Sequence, residues 1–285
     1  MNESTDNCMI ANLKSLNEQL TSELFEVNKL LKESEAFKSH FISNVTNEIL
    51  NPFSGILALT ENFRKLDETD INQAKKMAEQ IHQEAFQLDF QLKNISAAAM
   101  IEAGLDDLMP VPVNVPDLIR RAIRFFDYET ARKQLEIDLT IEEHDQNLLK
   151  AFVTDELKLE LIIKNLLSNA LKFSHQTGKI QVLAGIDNHI FFLQIRDFGK
   201  GILPEEYKII FNRFKQLDQS IHSLNTGQGL GLSIVKACLL TLNGKIELEN
   251  PEKGGLKVKI KLPELSVPDE YDDLDNFLLN GEEKF

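Results

Sequence analysis

Glu160-Leu-Ile-Ile-Lys-Asn165-Leu-Leu-Ser-Asn169-Ala-Leu-Lys172-Phe173 reads as a helix with an anomaly in it. The apolar spacing over residues 155–173 is strongly helical. Asn165 and Asn169 are four apart and share one face, while the intervening Leu166 and Leu167 turn to the core. Two amides on an apolar helix are expensive unless something hydrogen-bonds them. Either they cap neighbouring backbone groups, or their carbonyl oxygens hold a hard cation, Mg2+, and its water shell beside phosphates. Lys172, one turn further on, reaches a phosphate.

Three later segments carry related signals. Arg196-Asp197-Phe198-Gly199-Lys200-Gly201-Ile202 ends an apolar strand. A carboxylate there accepts from an exocyclic amine, and the glycines let the backbone approach a flat ring; the plain alternative is a strand-end turn. Phe211-Asn-Arg213-Phe214 places two aromatics in a polar stretch. Gly227-Gln-Gly229-Leu230-Gly231-Leu-Ser233 opens a helix, where glycine amides and the helix dipole favour a phosphate. That loop lacks the Gly-Lys-Ser/Thr ending of a Walker motif and does not follow a first strand as a Rossmann loop would.

The order of these four segments resembles the ATP-binding domain of sensor histidine kinases, in the superfamily shared with gyrase and ninety-kilodalton heat-shock ATPases. The resemblance covers residues 37–263. It implies ATP and Mg2+ as cofactors, with Asn169 binding Mg2+ and Asn165 at the position of the gyrase-like catalytic glutamate. It further implies that Lys172 touches phosphate, Phe173 lies near the sugar or base, and Asp197 reads the adenine amine, with Gly199 and Gly201 beside it. Residues 200–229 would form a lid anchored by Phe211 and Phe214, and Gly227, Gly229, Leu230 and Gly231 would meet the phosphates.

Around the boxes, residues 117–132 read as helix, Leu135, Ile137, Leu139 and Ile141 alternate as a strand, and 180–186 and 190–197 are further strands. Residues 230–242 are helical and precede strands at 245–249 and 256–262. The expectation is an α/β sandwich with mainly antiparallel strands over 117–263. Gly104 to Pro116 holds three prolines and one glycine, so 105–116 is expected as a linker.

Upstream, residues 37–104 read as a helical hairpin that turns at Leu66–Asp70, with Asp70 a helix cap and Pro52 a kink. Its second arm alternates three and four through Ile71, Ala74, Ala78, Ile81, Ala85, Leu88, Leu92, Ile95 and Ala99. Two arms make a thin core, so a homodimer completing a four-helix bundle is expected. Residues 1–36 contain a helix with a narrow apolar stripe, Leu13, Leu16, Leu20, Leu24, Val27 and Leu31, suited to a coiled coil.

By the same resemblance, Phe41-Ile-Ser-Asn-Val-Thr46-Asn47-Glu48-Ile-Leu50-Asn51-Pro52-Phe53 matches the family's phosphoacceptor segment, and the acceptor histidine falls on Asn47. An imidazole nitrogen is nucleophilic; an amide nitrogen, conjugated with its carbonyl, is not. Glu48 and Pro52 match the family. Glu48 and Asn51 resemble the acidic residue that assists phosphoryl transfer and the residue that orients water against a phosphorylated partner.

Three functions follow as expectations. One is a Mg-ATP-binding pseudokinase or response-regulator phosphatase that works with a response regulator or a partner histidine kinase. Another is an active kinase using a different acceptor, His40 or His82. The last is a non-catalytic dimeric scaffold.

Composition narrows the classes further. The 285 residues suit about two domains at roughly 150 residues each. With 31 Lys+Arg against 45 Asp+Glu, the net charge of −14 disfavours nucleic acid as a partner. Half of that charge falls on residues 264–285, read as an acidic solubilising tail. Cys8 and Cys238 form no paired spacing, and no apolar run or leader pattern stands out, so a cytoplasmic protein without a membrane span is expected.

Overall fold

The computed structural model describes residues 17, 19–29, 46, 49–67, 70–105, 107–142, 146–203, 206–207, 210, 231–252 and 254–266. The expectations for His40, Asn47, Glu48, Phe211, Phe214, Gly227, Gly229, Leu230 and most of the acidic tail lie outside them. The chain divides into two units, Met1–Leu50 and Asn51–Phe285. In the first unit, residues 19–29 are helical, with Leu20, Leu24 and Val27 exposed.

The second unit begins with α1 (residues 51–63) and α2 (Ile71–Ala103). A Cβ added at Gly55 of α1 would stand 3.7 Å from the Glu84 carboxyl of α2, so the two helices lie side by side there. Asp70 occupies the N-cap position of α2 but makes no side-chain cap bond. Gly104 ends α2 in the left-handed region (φ 67°), and the amides of Gly104 and Leu105 return to the carbonyls of Ile101 and Met100.

Helix α2 carries two stripes, of which the sequence reading recognised one. The regular seam is open only in part: Ile71 is 73% and Leu92 44% exposed, while Ala74, Ile81, Leu88 and Ile95 are half-buried. The described residues that α2 buries are Phe90, Asn94 and Ala98, spaced by four on another face. The Phe90 ring meets Phe125 and Phe126 at 5.6 and 6.2 Å between centroids, and Ala98 joins the main core.

That core belongs to an α/β sandwich. A five-stranded sheet has the order β2-β4-β5-β7-β6: β2 (Glu136–Ile141), β4 (Lys179–Asp187), β5 (Ile190–Arg196), β7 (Lys257–Pro263) and β6 (Lys245–Glu249). Only β2 and β4 pair in parallel; the other neighbours are antiparallel. A second small sheet pairs β1 (Val111–Val113) with β3 (Phe152–Thr154). Alternate residues of the large sheet, such as Val182, Leu193 and Ile260, pack with Ile119 of α3 (Val115–Phe125), Ile163 of α6 (Glu156–Phe173) and Val235 of α7 (Gly231–Thr241). The helix expected over 117–132 breaks at Phe126, whose ring turns into the core, and resumes as α4 (Asp127–Lys133). A further short helix, α5 (Gln146–Lys150), precedes β3.

Residues 105–116 carry β1 and are tied down by a buried acid. The Asp155 carboxylate caps α6 by accepting from the Lys158 amide at 3.0 Å. It also accepts from the Met109 amide and from Lys158 Nζ, each at 3.1 Å, while Nζ donates to the Asp107 carbonyl at 2.8 Å. One carboxylate thus starts the helix bearing the two asparagines and holds the strap leading out of α2.

Gly255 sits before β7 at φ 82°, and a Cβ there would run into the backbone of Asp197 and Phe198. Gly255→Ala is expected to cost on the order of 3–5 kcal/mol, from left-handed strain plus a clash with main chain that has nowhere to move. Urea denaturation of parent and variant measures this, and coincident midpoints would contradict it.

Candidate functional site

Helix α6 presents Asn165 and Asn169 one turn apart near the first residue of α7. Asn165 is 4% exposed, and its Nδ2 donates to the Leu161 carbonyl at 2.9 Å and to Asn94 Oδ1 of α2 at 2.7 Å. With its N–H groups so directed, its Oδ1 faces α7, 2.8 Å from where a Gly231 Cβ would stand. Asn169 Nδ2 lies 3.7 Å from that same point, and it is buried without a hydrogen-bond partner. An amide in that state is costly, and a ligand oxygen would relieve it. Gly231 therefore faces both asparagines without a side chain in the way.

The C-terminal end of α6 meets the loop after β5. Lys172 Nζ lies 5.3 Å above the Phe173 ring, which is 43% exposed. Gly199 backs onto the Phe173 carbonyl so closely that no side chain fits there. Asp197 is 5% exposed, and its Oδ1 accepts from the amides of Gly199 at 2.9 Å and Leu256 at 3.1 Å. Burial pushes the Asp197 carboxyl above the usual carboxylate range, against the opposing pull of those amides. Both recorded bonds enter Oδ1, which directs the other oxygen's acceptor capacity elsewhere. Beyond Gly201 the chain is held by Asn250, which accepts from the Ile202 amide at 3.2 Å and donates to the Ile202 carbonyl.

Residues 154–266 match the family model described as histidine kinase-, DNA gyrase B-, and HSP90-like ATPase. This segment is similar to the ATP-binding domain of that family. The chain is homologous over most of its length to sensor histidine kinases. It is 30% identical over 259 residues to hybrid signal transduction histidine kinase D of Dictyostelium discoideum, covering 89% of this chain and 16% of that protein. It is 32% identical over 248 residues to sensor histidine kinase TmoS of Ectopseudomonas mendocina, covering 87% of this chain and 25% of that protein. The chain thus spans a quarter or less of these two curated relatives. Among solved structures it resembles Acinetobacter baumannii histidine kinase AdeS (TM-score 0.51, 18% identity, 77% of this chain and 98% of that one). It also resembles full-length ShkA in complex with AMPPNP (TM-score 0.53, 20% identity, 84% of this chain and 46% of that one). These two likenesses carry the fold, a helical region followed by the histidine-kinase α/β sandwich.

Within this sandwich the structure brings Asn165, Asn169 and Gly231 together, and sets Asp197, Gly199 and Phe173 side by side at the end of α6. Asn51 is an exposed residue of α1, and His82 is an exposed residue of α2 whose ring lies 4.5 Å from that of Phe86. The sequence reading missed Asn94, Asn250 and the Leu256 amide. The steps of four from Phe90 to Asn94 to Ala98 were the available signal for Asn94. The Leu256 amide, 59 residues from its acceptor, left none. Among the described residues, no helix is long and apolar enough to cross a membrane and no His/Cys/Asp/Glu group is arranged to hold a metal.

Proposed function

We propose that this chain is a Mg-ATP-binding histidine-kinase core that does not phosphorylate itself at the usual position and acts in a two-component pathway as a pseudokinase or response-regulator phosphatase. The observation that carries the reading is Asn47, standing where the resemblance expects the acceptor imidazole, in a chain that keeps the nucleotide boxes. The site's own features suit the cofactor: an unpartnered buried amide on Asn169, an opening at Gly231 and a buried acceptor at Asp197. In this reading Asn169 and Asn165 hold the Mg-phosphate end, with Lys172 and the amides about Gly227–Gly231 on the phosphates. Asp197 accepts from the adenine amine with the oxygen that Gly199 and Leu256 leave over, and Gly199 and Gly201 give the base a flat approach. Phe173 flanks the nucleoside, and Phe211 and Phe214 anchor the lid.

Bound Mg-ATP supplies a transferable phosphoryl group. Asn47 offers it no nucleophile, because the amide lone pair is delocalised into its carbonyl. Glu48 and Asn51, three residues apart in the sequence, keep a polar pair able to orient water toward a phosphorylated partner. The partly open seam on α2, with Ile71 and Leu92 exposed, supports pairing with a second copy. The hairpin expected over 37–104 and the sandwich expected over 117–263 organise this reading.

A fluorescent ATP analogue tests it. Saturable binding is expected, weakened about tenfold or more when EDTA removes Mg2+, with no acid-labile label on the chain after incubation with γ-labelled ATP. Absence of binding would leave the scaffold reading, and an acid-labile label would establish an active kinase using another histidine.

A further inference from the structure

The buried amide pair between α2 and α6 has a chemical sense of direction. Asn94 is one of three described residues that α2 buries, and the sole polar one. Its Oδ1 takes one N–H of Asn165 at 2.7 Å, and the Leu161 carbonyl takes Nδ2 at 2.9 Å. A primary amide has two N–H groups and one carbonyl, so both donors are used, one on Asn94 of α2 and one on the Leu161 carbonyl of α6. The carbonyl is left facing Gly231 and Asn169. Were the carboxamide to flip, Asn165 Oδ1 would confront two acceptors and its Nδ2 would face the Asn169 amide nitrogen, donor against donor. The Asn94 acceptor, together with the Leu161 carbonyl, therefore turns the Asn165 carbonyl toward the α7 opening. Around it, Phe90 packs on Phe125 and Phe126, and Lys164 Nζ lies 4.4 Å over the Phe125 ring, so the contact sits in a packed wall that excludes water.

Resting on the Mg-ATP reading above, we propose that Asn94 is a positioning residue of the nucleotide site: the hairpin helix, through this one side chain, sets the Asn165 carbonyl toward the Mg-phosphate end and thereby couples the hairpin to Mg-ATP affinity. Asn94 touches no nucleotide in this scheme; it acts through Asn165. Coupling of this kind is reciprocal, so bound nucleotide tightens the grip of the sandwich on α2 to the same extent.

The test uses the full chain and two near-isosteric variants. Asn94→Leu removes the acceptor and keeps the volume; Asn94→Asp keeps an acceptor oxygen. Affinity for a fluorescent ATP analogue is measured in Mg2+ and in EDTA, alongside hydrogen–deuterium exchange of α2 amides with and without nucleotide. Loss of one well-made buried hydrogen bond predicts about a tenfold weaker Mg2+-dependent affinity for Asn94→Leu, little change in EDTA, and near-parent binding for Asn94→Asp. Nucleotide is expected to slow exchange in residues 90–103 of the parent and not in Asn94→Leu. Asn94→Ala replaces the leucine variant, with the same expectations, if leucine prevents folding.

Parent-like Mg2+-dependent affinity in the acceptor-less variant overturns the proposal. So does an Asn94→Asp loss as large as that of Asn94→Leu, which would show that the acceptor oxygen is not what residue 94 contributes. If the parent itself binds no nucleotide, the Mg-ATP reading falls and this proposal with it. Binding by the parent that is indifferent to residue 94 removes this proposal only.

Discussion

Asp197→Asn is expected to lower affinity for an ATP analogue at least about a hundredfold while leaving the melting temperature at pH 7 no lower than the parent's. The two effects separate because the two oxygens of Asp197 have different tasks. Oδ1 accepts from the Gly199 and Leu256 amides, and an asparagine oxygen meets those same donors. The Nδ2 of the variant then replaces the free oxygen and points a donor at the adenine amine, itself a donor. A charged hydrogen bond worth roughly 1.5–3 kcal/mol is exchanged for an unmatched pair.

Stability moves the other way. Burial raises the Asp197 carboxyl above its usual range, so the folded protein binds that proton more readily than the unfolded chain does. The stabilisation from that proton is complete below the unfolded value and is lost as pH rises through the folded one. At pH 7 the buried charge is a burden that asparagine removes. For the parent, nucleotide affinity should decline on acidification through a pKa higher than that of an ordinary aspartate, since the acceptor becomes protonated there. Titration calorimetry across pH, with thermal melts of both proteins, checks all three statements. Unaltered affinity in the variant would remove Asp197 from base recognition.

Asn47→His is expected to turn a chain without label into one that takes an acid-labile, base-stable phosphoryl group from γ-labelled ATP. The change restores a nucleophilic ring nitrogen beside Glu48 and alters nothing in the sandwich. Its size follows from starting near zero, because an amide offers no lone pair for phosphoryl transfer. A labelled parent would displace the pseudokinase reading. An unlabelled histidine variant that still binds Mg-ATP would show that this segment lacks more than the acceptor.

Periodicity explains how much of this fold could be read in advance. Strands β2, β4, β5, β6 and β7 each alternate over five residues or more, and α6 and α7 keep one apolar face, so their spans emerged within a residue or two. Strands β1 and β3 have three residues and α5 five, too few to show a period. The break at Phe126 escaped because both phenylalanines fit a helical stripe, and only the core decides which of them leaves it. The asparagines of α6 were conspicuous because polar groups are rare on such a face, whereas Asn94 lay beside a regular seam that drew attention to another side of α2. Asp70 sits where a cap belongs and forms no cap bond, showing that local chemistry permits such a bond without requiring it.

The burial of Phe90, Asn94 and Ala98 bears on where this protein can be cut. The proline-containing stretch after Gly104 looks like the natural place to sever hairpin from sandwich. A fragment beginning there would carry Phe125 and Phe126 with one wall stripped away, and an Asn165 without its Asn94 acceptor. The workable frontier of the nucleotide half therefore lies inside α2, upstream of Phe86, whose ring still reaches Phe125 at 5.8 Å. Limited proteolysis should accordingly yield a stable core that keeps the second half of this helix as its own first element.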